Sequence, residues 1–375
     1  LIFSKFLIDS FQFFLMISIT ATLIVWIIQA VNYLDFVTED GHNFKVYILY
    51  TILNFPKIFS RLLPFIFFIS LFYTLIKYEN KNELIIYWIN GIKKISFINN
   101  IVYFSFIYLI FQILLTSYFV PKFQDQARSY IRNSNVDFFP SLIKEKKFID
   151  TVSDLTIFIG KKKKNYLENI YLKDSTKLDQ IQIIIAKNGL IKKKKNINFL
   201  ILYDGKILNS KTEEGISKGK TTSFSFKKTE FNLSNYATKS TTYPKVGELN
   251  TNILIKCLQK LLLKKDNFTE KNITCNNDAL ADIKQEILKR IYLPLYIPII
   301  SLITSFLVLK SRDDFNYTSF KFKIFLYVLS ILIISEISLK YSALGGMFDY
   351  IFLLIPLILF FINYVYLLNK LKFLK

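Results

Sequence analysis

Six long apolar segments lie in two groups of three on either side of a polar region, and this arrangement constrains the chain more than any other feature. An α-helix needs about 20 mostly apolar residues to cross the hydrocarbon core of a bilayer. The segments are residues 10–34, 46–76, 95–121, 291–309, 324–335 with their flanks, and 350–369. They predict six membrane-spanning helices. The first is too long for a signal peptide and no convincing cleavage site follows it.

Residues 122–285 differ from the apolar segments, because polar residues become common and short alternating stretches appear. Alternation bounded by turn residues, here Asn188-Gly189 and Asp204-Gly205, is typical of antiparallel strands. The candidate strands are residues 147–152, 155–160, 167–173, 181–187, 197–203 and 222–233. Serial short strands favour a sandwich or a jelly-roll-like sheet.

Two helical stretches follow the candidate strands. Apolar residues recur at helical spacing over residues 247–265, and Asn277-Asp278 is a suitable cap for a helix that enters the fourth span. The predicted domains are three spans over residues 1–121, a β-rich domain with a linker helix over residues 122–285, and three spans over residues 286–375. The predicted fold class is an α-helical integral membrane protein with an inserted β-rich, jelly-roll-like domain.

Basic residues are concentrated in one set of short loops, in a chain whose 49 Lys and Arg against 28 Asp and Glu give a net charge of +21. This bias sets the orientation of a membrane protein, whereas long domains translocate largely regardless of their charge. The basic set is Lys5, Lys77, Lys81, Lys93, Lys94, Lys310, Arg312, Lys321, Lys323, Lys370, Lys372 and Lys375. These loops and both termini are predicted to be cytoplasmic, with the large domain outside.

Lys57 and Arg61 lie four residues apart inside an otherwise apolar segment, so a helix places them on one face. Charges within the membrane often face a cavity or a transport pathway. The same side chains could instead extend to the nearby interface. If they face a cavity, a phosphate-bearing lipid is the natural partner, because the guanidinium forks onto phosphate.

The loop between the second and third spans contains a short amphipathic helix near residues 80–92. Asn82 is predicted to cap it, Glu83 suits its first turn, and Gly91 can end it. Apolar residues recur at helical spacing, at positions 84, 85, 88, 89 and 92. Such a helix either lies on the lipid surface or docks into a groove of a cytoplasmic partner.

Few residues suit catalysis or cofactor binding. The segment Gly215–Thr221 lacks the spacing and the following helix of a phosphate-binding loop. His42 is the only histidine and the chain has two cysteines, which all but excludes a multi-ligand His/Cys metal site. We expect no catalytic residues, no metal and no cofactor. Cys257 and Cys275 could form a disulfide or be simply buried.

Together these features resemble the lipopolysaccharide transport permeases LptF/LptG over nearly the whole chain. The stretches that carry the resemblance are Leu63-Pro64, Glu83-Leu84, Gly91-Ile92, Glu286 with Arg290 and Pro294, and Pro356. Asn82 and Lys93 depart from the family pattern. Trp26, Gln29 and the Arg132-Asn133 region favour the LptF member.

The resemblance implies a permease subunit in the bacterial inner membrane. It would pair with a paralogous permease over a cytoplasmic ATPase dimer, extract lipopolysaccharide and pass it to a periplasmic bridge protein, with no nucleic acid involved. Glu83, Leu84 and Gly91 would belong to the helix that couples to the ATPase. Glu286 and Arg290 are four residues apart, so their spacing predicts a local ion pair at the entrance to the fourth span, with a role in transport as the alternative. Pro64 would have a structural role.

Other classes of protein also fit the residues. One alternative is the permease of another lipid or lipoprotein exporter, and another is a membrane scaffold or sensor without transport activity. An enzyme is disfavoured, because the predicted spans lack clustered His, Asp or Glu.

Overall fold

The structure, a computed structural model, describes most of the chain. The described residues are 2–34, 37, 43–134, 145–152, 155–163, 165–177, 180–194, 197–211, 221–232, 245–262, 269–270, 273–274, 279–341 and 348–373. His42, residues 215–220, Cys275 and the predicted cap Asn277-Asp278 lie outside them. Arg132 and Asn133 lie in a described helix, but their side chains are not described.

Among the described residues, six helical spans are long and apolar enough to cross a membrane, which confirms the prediction from the hydropathy pattern. In chain order they are Phe3–Asn32, Phe44–Asn80, Lys94–Ile131, Leu280–Leu309, Tyr317–Tyr341 and Leu354–Lys372, here called spans 1 to 6. Span 4 is the most enclosed, with 83% of its most apolar window buried, against 17% in spans 1 and 6. Span 4 therefore forms the centre of the bundle, and its core is continuous with apolar residues from all the other spans.

Several spans are built from more than one helical segment. The helical elements, in chain order, are α1 (Ile2–Asn32), α2 (Phe44–Leu53), α3 (Phe55–Asn80), α4 (Glu83–Ile89), α5 (Lys94–Leu114), a π-helical turn (Leu115–Phe119), α6 (Val120–Ser134), a 3-10 turn (Val246–Glu248), α7 (Thr251–Leu262), α8 (Leu280–Ile291), a 3-10 turn (Leu293–Leu295), α9 (Tyr296–Thr304), a 3-10 turn (Ser305–Leu309), α10 (Tyr317–Tyr341) and α11 (Phe348–Phe373).

The breaks within spans have local causes. Span 2 is interrupted at Asn54, two residues before Pro56 in the first turn of α3, because proline favours a helix start and cannot donate a backbone hydrogen bond. Pro294 lies in the 3-10 turn that divides span 4. Pro64 and Pro356 instead lie inside α3 and α11, where both are buried.

The inserted β-rich domain is also confirmed. Its six-stranded sheet contains β1 (Phe148–Val152), β2 (Leu155–Lys163), β3 (Tyr166–Lys177), β4 (Gln180–Lys194), β5 (Ile197–Lys211) and β6 (Thr221–Asn232). The strands follow one another in sequential order, each antiparallel to the next. Alternate residues such as Leu155, Ile157 and Ile159 are buried in the core of this sheet, as the period of two in a strand requires. A short hairpin of β7 (Thr269–Glu270) and β8 (Ile273–Thr274) is separate from the sheet.

The predicted turns at Asn188-Gly189 and Asp204-Gly205 are wrong, because both pairs lie inside continuous strands. The register between β2 and β3 passes from Ile159↔Ile170 to Lys161↔Glu168, so one position on each strand is left unpaired. Equivalent gaps recur between β3 and β4, between β4 and β5, and between β5 and β6.

Two residues on this line across the sheet adopt positive φ angles, Asn169 at 54° and Asp204 at 49°. Asn and Asp tolerate this conformation better than other residues with a side chain. The buried face changes phase here, since Leu167 and Ile170 are both buried although they are three residues apart. The turn-forming residues therefore bend the strands without ending them, and we call this line the crease.

The chain divides into two compact units. One contains Leu1–Ile28, Asn54–Asp125 and Lys245–Lys375, and the other contains Gln29–Leu53 and Gln126–Pro244. The helices α7 and α8 thus belong to the unit that holds most of the bundle, and the six-stranded sheet belongs to the other unit.

Candidate functional site

The predicted amphipathic helix between spans 2 and 3 is present as α4, but Asn82 does not cap it. Asn82 has φ 58° and its side chain makes no capping hydrogen bond. Its N–H donates to the carbonyl of Glu79 at 3.0 Å. Asn82 therefore closes the end of α3 in the left-handed conformation common just after a helix, and this geometry is incompatible with the extended backbone of an N-cap. Gly91, with φ 76°, follows the end of α4.

The two faces of α4 differ sharply. Leu84 and Tyr87 are buried, and the ring of Tyr87 packs edge-on against Phe97 of α5 with centroids 5.0 Å apart. Burial raises the pKa of Tyr87 to about 12, with smaller contributions from the carboxylates of Glu83 and Asp9. The phenol therefore stays neutral at physiological pH. Sequence spacing placed Leu84 and Ile85 on one face, whereas the structure buries only the first of them.

The opposite face of α4 is apolar and uncovered. Ile85 and Ile86 are exposed, and Ile89 is 79% exposed. Glu83 lies half-buried in the first turn, next to this face. A cluster of isoleucines on a solvent-accessible loop helix is the kind of patch that marks an interaction surface.

Lys57 and Arg61 lie near the first turns of α3, at the opposite end of that helix from α4. The 22 residues from Lys57 to Glu79 correspond to about 33 Å of helix. Lys57 is half-buried and Arg61 is exposed. Lys57 interacts electrostatically with the cations Arg61 and Lys289 and with the carboxylates of Glu248 and Glu286. This end of the bundle therefore carries a mixed cluster of charges with an accessible guanidinium.

Arg290, the ion-pair partner of Glu286, has several hydrogen-bond partners although its side chain is only 2% exposed. Its Nε donates to Glu286 Oε1 at 3.0 Å, which is the ion pair expected from their spacing of four residues. One terminal nitrogen donates to the Leu249 carbonyl at 2.9 Å and to Thr251 Oγ1 at 2.8 Å. The other donates to the Gly247 carbonyl at 3.0 Å. The fixed fork of the guanidinium thus holds the start of α7 against α8.

Span 3 joins the same group of contacts through its π-helical turn. Thr116 Oγ1 donates to the Arg290 carbonyl at 2.8 Å, and Thr251 Oγ1 donates to the Ser117 carbonyl at 2.6 Å. Single π turns often mark functional positions in helices. We call this cluster of Arg290, Glu286, Thr116 and Thr251 the Arg290 node.

Gln124 connects Lys57 to the Arg290 node. With its amide oriented to suit its neighbours, the Gln124 oxygen accepts from Lys57 Nζ at 2.9 Å and the nitrogen donates to the Gly247 carbonyl at 3.2 Å. The sequence indicated the Glu286–Arg290 pair, but it held no signal for Gly247, Thr251 or Gln124. Their contacts join residues far apart in the chain.

An open groove of about 620 Å³ lies on the crease of the six-stranded sheet. Its walls include Phe158, Tyr171 and Phe226. The charged residues Lys187, Lys206 and Asp204 also line it, so the lysines outnumber the one carboxylate. An apolar surface with amines at its side suits an amphipathic, anionic ligand better than a small polar metabolite.

Two further features concern cysteine and metal chemistry. Cys257, in α7, is buried and disulfide-bonded. Among the residues that the structure describes, no group of three or more His, Cys, Asp or Glu side chains could hold a metal ion.

The chain is similar to one protein family over most of its length and to one curated protein over about half of it. The family model described as "Lipopolysaccharide export system permease LptF/LptG" matches residues 6–370. An uncharacterized protein of Rickettsia prowazekii (strain Madrid E) is 23% identical over 178 residues, which are 47% of this chain and 49% of that protein. The match thus spans about half the length of this curated relative. The family match does not distinguish LptF from LptG.

Proposed function

Because this chain belongs to the LptF/LptG permease family, we propose that it is the permease subunit of an ABC transporter that extracts lipopolysaccharide from the bacterial inner membrane. The observation that carries this proposal is the family match over residues 6–370. The six apolar spans and the inserted sheet agree with a multi-pass membrane protein of this kind.

Energy for transport would come from a separate cytoplasmic ATPase. The uncovered isoleucines of α4 support this assignment, because a short helix with an apolar face is suited to a groove on a partner protein. Glu83, in the first turn, would contact the ATPase, Leu84 would anchor α4 to the bundle, and Gly91 would end the helix. A second, paralogous permease would complete the membrane part of the complex.

The lipid would be recognised through its phosphates and its acyl chains. Arg61 is accessible and lies beside Lys57, so this pair is the proposed phosphate contact within the membrane region. The groove on the crease, with aromatic walls and two lysines, would receive the lipid in the periplasm before it passes to a bridge protein. This proposed orientation is supported by the basic loops, which favour a cytoplasmic location for both termini and α4.

The decisive experiment is affinity purification of the tagged protein from native membranes, followed by mass spectrometry of the chains that copurify. We expect a soluble ATPase and a second six-span permease. Ile89→Asp should lose the ATPase while keeping the second permease, because a charge would be placed on the docking face. Tyr166→Asp is the matched control, since Tyr166 is an exposed apolar residue in the sheet.

The contrary results are also specific. Recovery of the protein alone would favour a scaffold or sensor, and equal ATPase recovery with Ile89→Asp would remove α4 as the docking element. Recovery of both partners without photocrosslinking to lipopolysaccharide would favour another lipid or lipoprotein as cargo.

A further inference from the structure

The end of α3 next to α4 is attached to the loop between spans 4 and 5. The backbone N–H of Arg312 donates to Glu79 Oε1 at 2.8 Å, and the Arg312 guanidinium donates to the carbonyl of Asn80 at 2.9 Å. These contacts join residues that are more than 230 positions apart in the chain. The adjacent Tyr78 donates to Asp9 of span 1 at 2.7 Å.

A carboxylate at position 79 is costly unless it has a partner. Glu79 is only 8% exposed, and burial of a charged group is unfavourable without compensating hydrogen bonds. A bond from a backbone N–H to a carboxylate is charge-assisted and therefore stronger than a neutral one. An apolar residue would fill this position without that cost, so the carboxylate is explained by the bond that it accepts.

The contact between Glu79 and Arg312 lies at the point where a movement of α4 would be transmitted to the helix bundle. Only Lys81 and Asn82 separate α3 from α4, and Asn82 has a defined left-handed backbone. The loop that Glu79 holds follows the last turn of span 4 and precedes α10. Helices α3 and α10 are also in direct contact, because Phe68 and Phe72 of α3 pack against Phe325 of α10.

We propose that Glu79 and Arg312 form a latch that transmits displacement of α4 to spans 4 and 5, making Glu79 a positioning residue for coupled transport. This inference rests on the proposed function. Span 4 carries the Arg290 node at its other end. Through the latch, a movement caused by the ATPase would reach that node along span 4, in addition to spans 2 and 3, which precede and follow α4 in the chain.

The test uses the full complex with its ATPase, reconstituted in lipid nanodiscs containing lipopolysaccharide, with lipid release measured per ATP hydrolysed. Glu79→Ala should keep ATPase binding and basal hydrolysis but lower release per ATP by roughly tenfold, the factor that corresponds to one lost charge-assisted hydrogen bond. Glu79→Gln should restore most of the coupling, because its amide oxygen can still accept from Arg312 N–H. Asp313→Ala, in the same exposed loop, is the matched control and should behave as the wild type.

A distance measurement separates transmission from general stability. Spin labels at Asn90 and Phe315, both exposed, should keep a constant separation through the nucleotide cycle in the wild type and change separation in Glu79→Ala. Normal coupling in Glu79→Ala, or equal loss in Glu79→Ala and Glu79→Gln, would overturn the latch alone. Absence of coupled release in the wild type would overturn the proposed function and the latch with it.

Discussion

The Arg290 node and the uncovered face of α4 lie at opposite ends of the bundle. They differ in whether their side chains find their partners within this chain. Arg290 is almost fully buried, and each of its nitrogens has a partner within this chain. Ile89 is 79% exposed and lies on a face that the described part of the chain leaves uncovered. Substitutions in the node should therefore act on stability, whereas substitutions on the α4 face should act on association.

The largest expected effect is on the stability of the Arg290 node. Arg290→Met would leave Glu286 and the carbonyls of Gly247 and Leu249 without their buried donor. Breaking a buried ion pair in this way costs about 3–5 kcal/mol. Thermal unfolding of the detergent-solubilised protein should show a clear fall in Tm.

Lys289→Met is the control for that prediction, because Lys289 is only half-buried and lies beside Arg290. It should change stability by about 1 kcal/mol or less. Equal shifts in Tm for the two variants would mean that Arg290 is not the centre of the node.

The second prediction contrasts neighbouring residues on the two faces of α4. Leu84→Ala should cost about 2–5 kcal/mol of stability, because Leu84 is buried in the bundle core. Ile85→Ala should cost far less stability, since its side chain is exposed, but should weaken ATPase binding. Unfolding and ATPase copurification, measured on both variants, should rank them in opposite orders. The same order in both assays would contradict the division of α4 into a packing face and a docking face.

The smallest expected effect is at the end of α4. Gly91 has φ 76°, and the space that an added Cβ would occupy is open. Gly91→Ala is therefore opposed by backbone conformation and not by a clash. The expected loss is about 1 kcal/mol, measured as a small fall in Tm. Gly91→Asn should lose less, because asparagine tolerates this conformation. If alanine is neutral, the left-handed geometry is not needed to end α4.

Local patterns were sufficient for much of the fold. The six spans follow from runs of neighbouring apolar residues, and each of the six main strands overlaps its predicted range. The Glu286–Arg290 ion pair could also be predicted from the sequence, because residues four apart meet on one helix face. The turns at Asn188-Gly189 and Asp204-Gly205 were wrong, since the same residue types permit either a chain reversal or a bend within a strand.

The sequence by itself determined which segments are helix, strand or membrane span, because these depend on hydropathy, periodicity and backbone preferences over a few residues. Only the tertiary structure decided that Arg290 also donates hydrogen bonds to the carbonyls of Gly247 and Leu249. It also decided that Glu79 accepts a hydrogen bond from the Arg312 N–H, and that α4 buries Leu84 but exposes Ile85. Those contacts join groups distant in the chain. Their geometry is set by how whole helices pack, which no short window of sequence specifies.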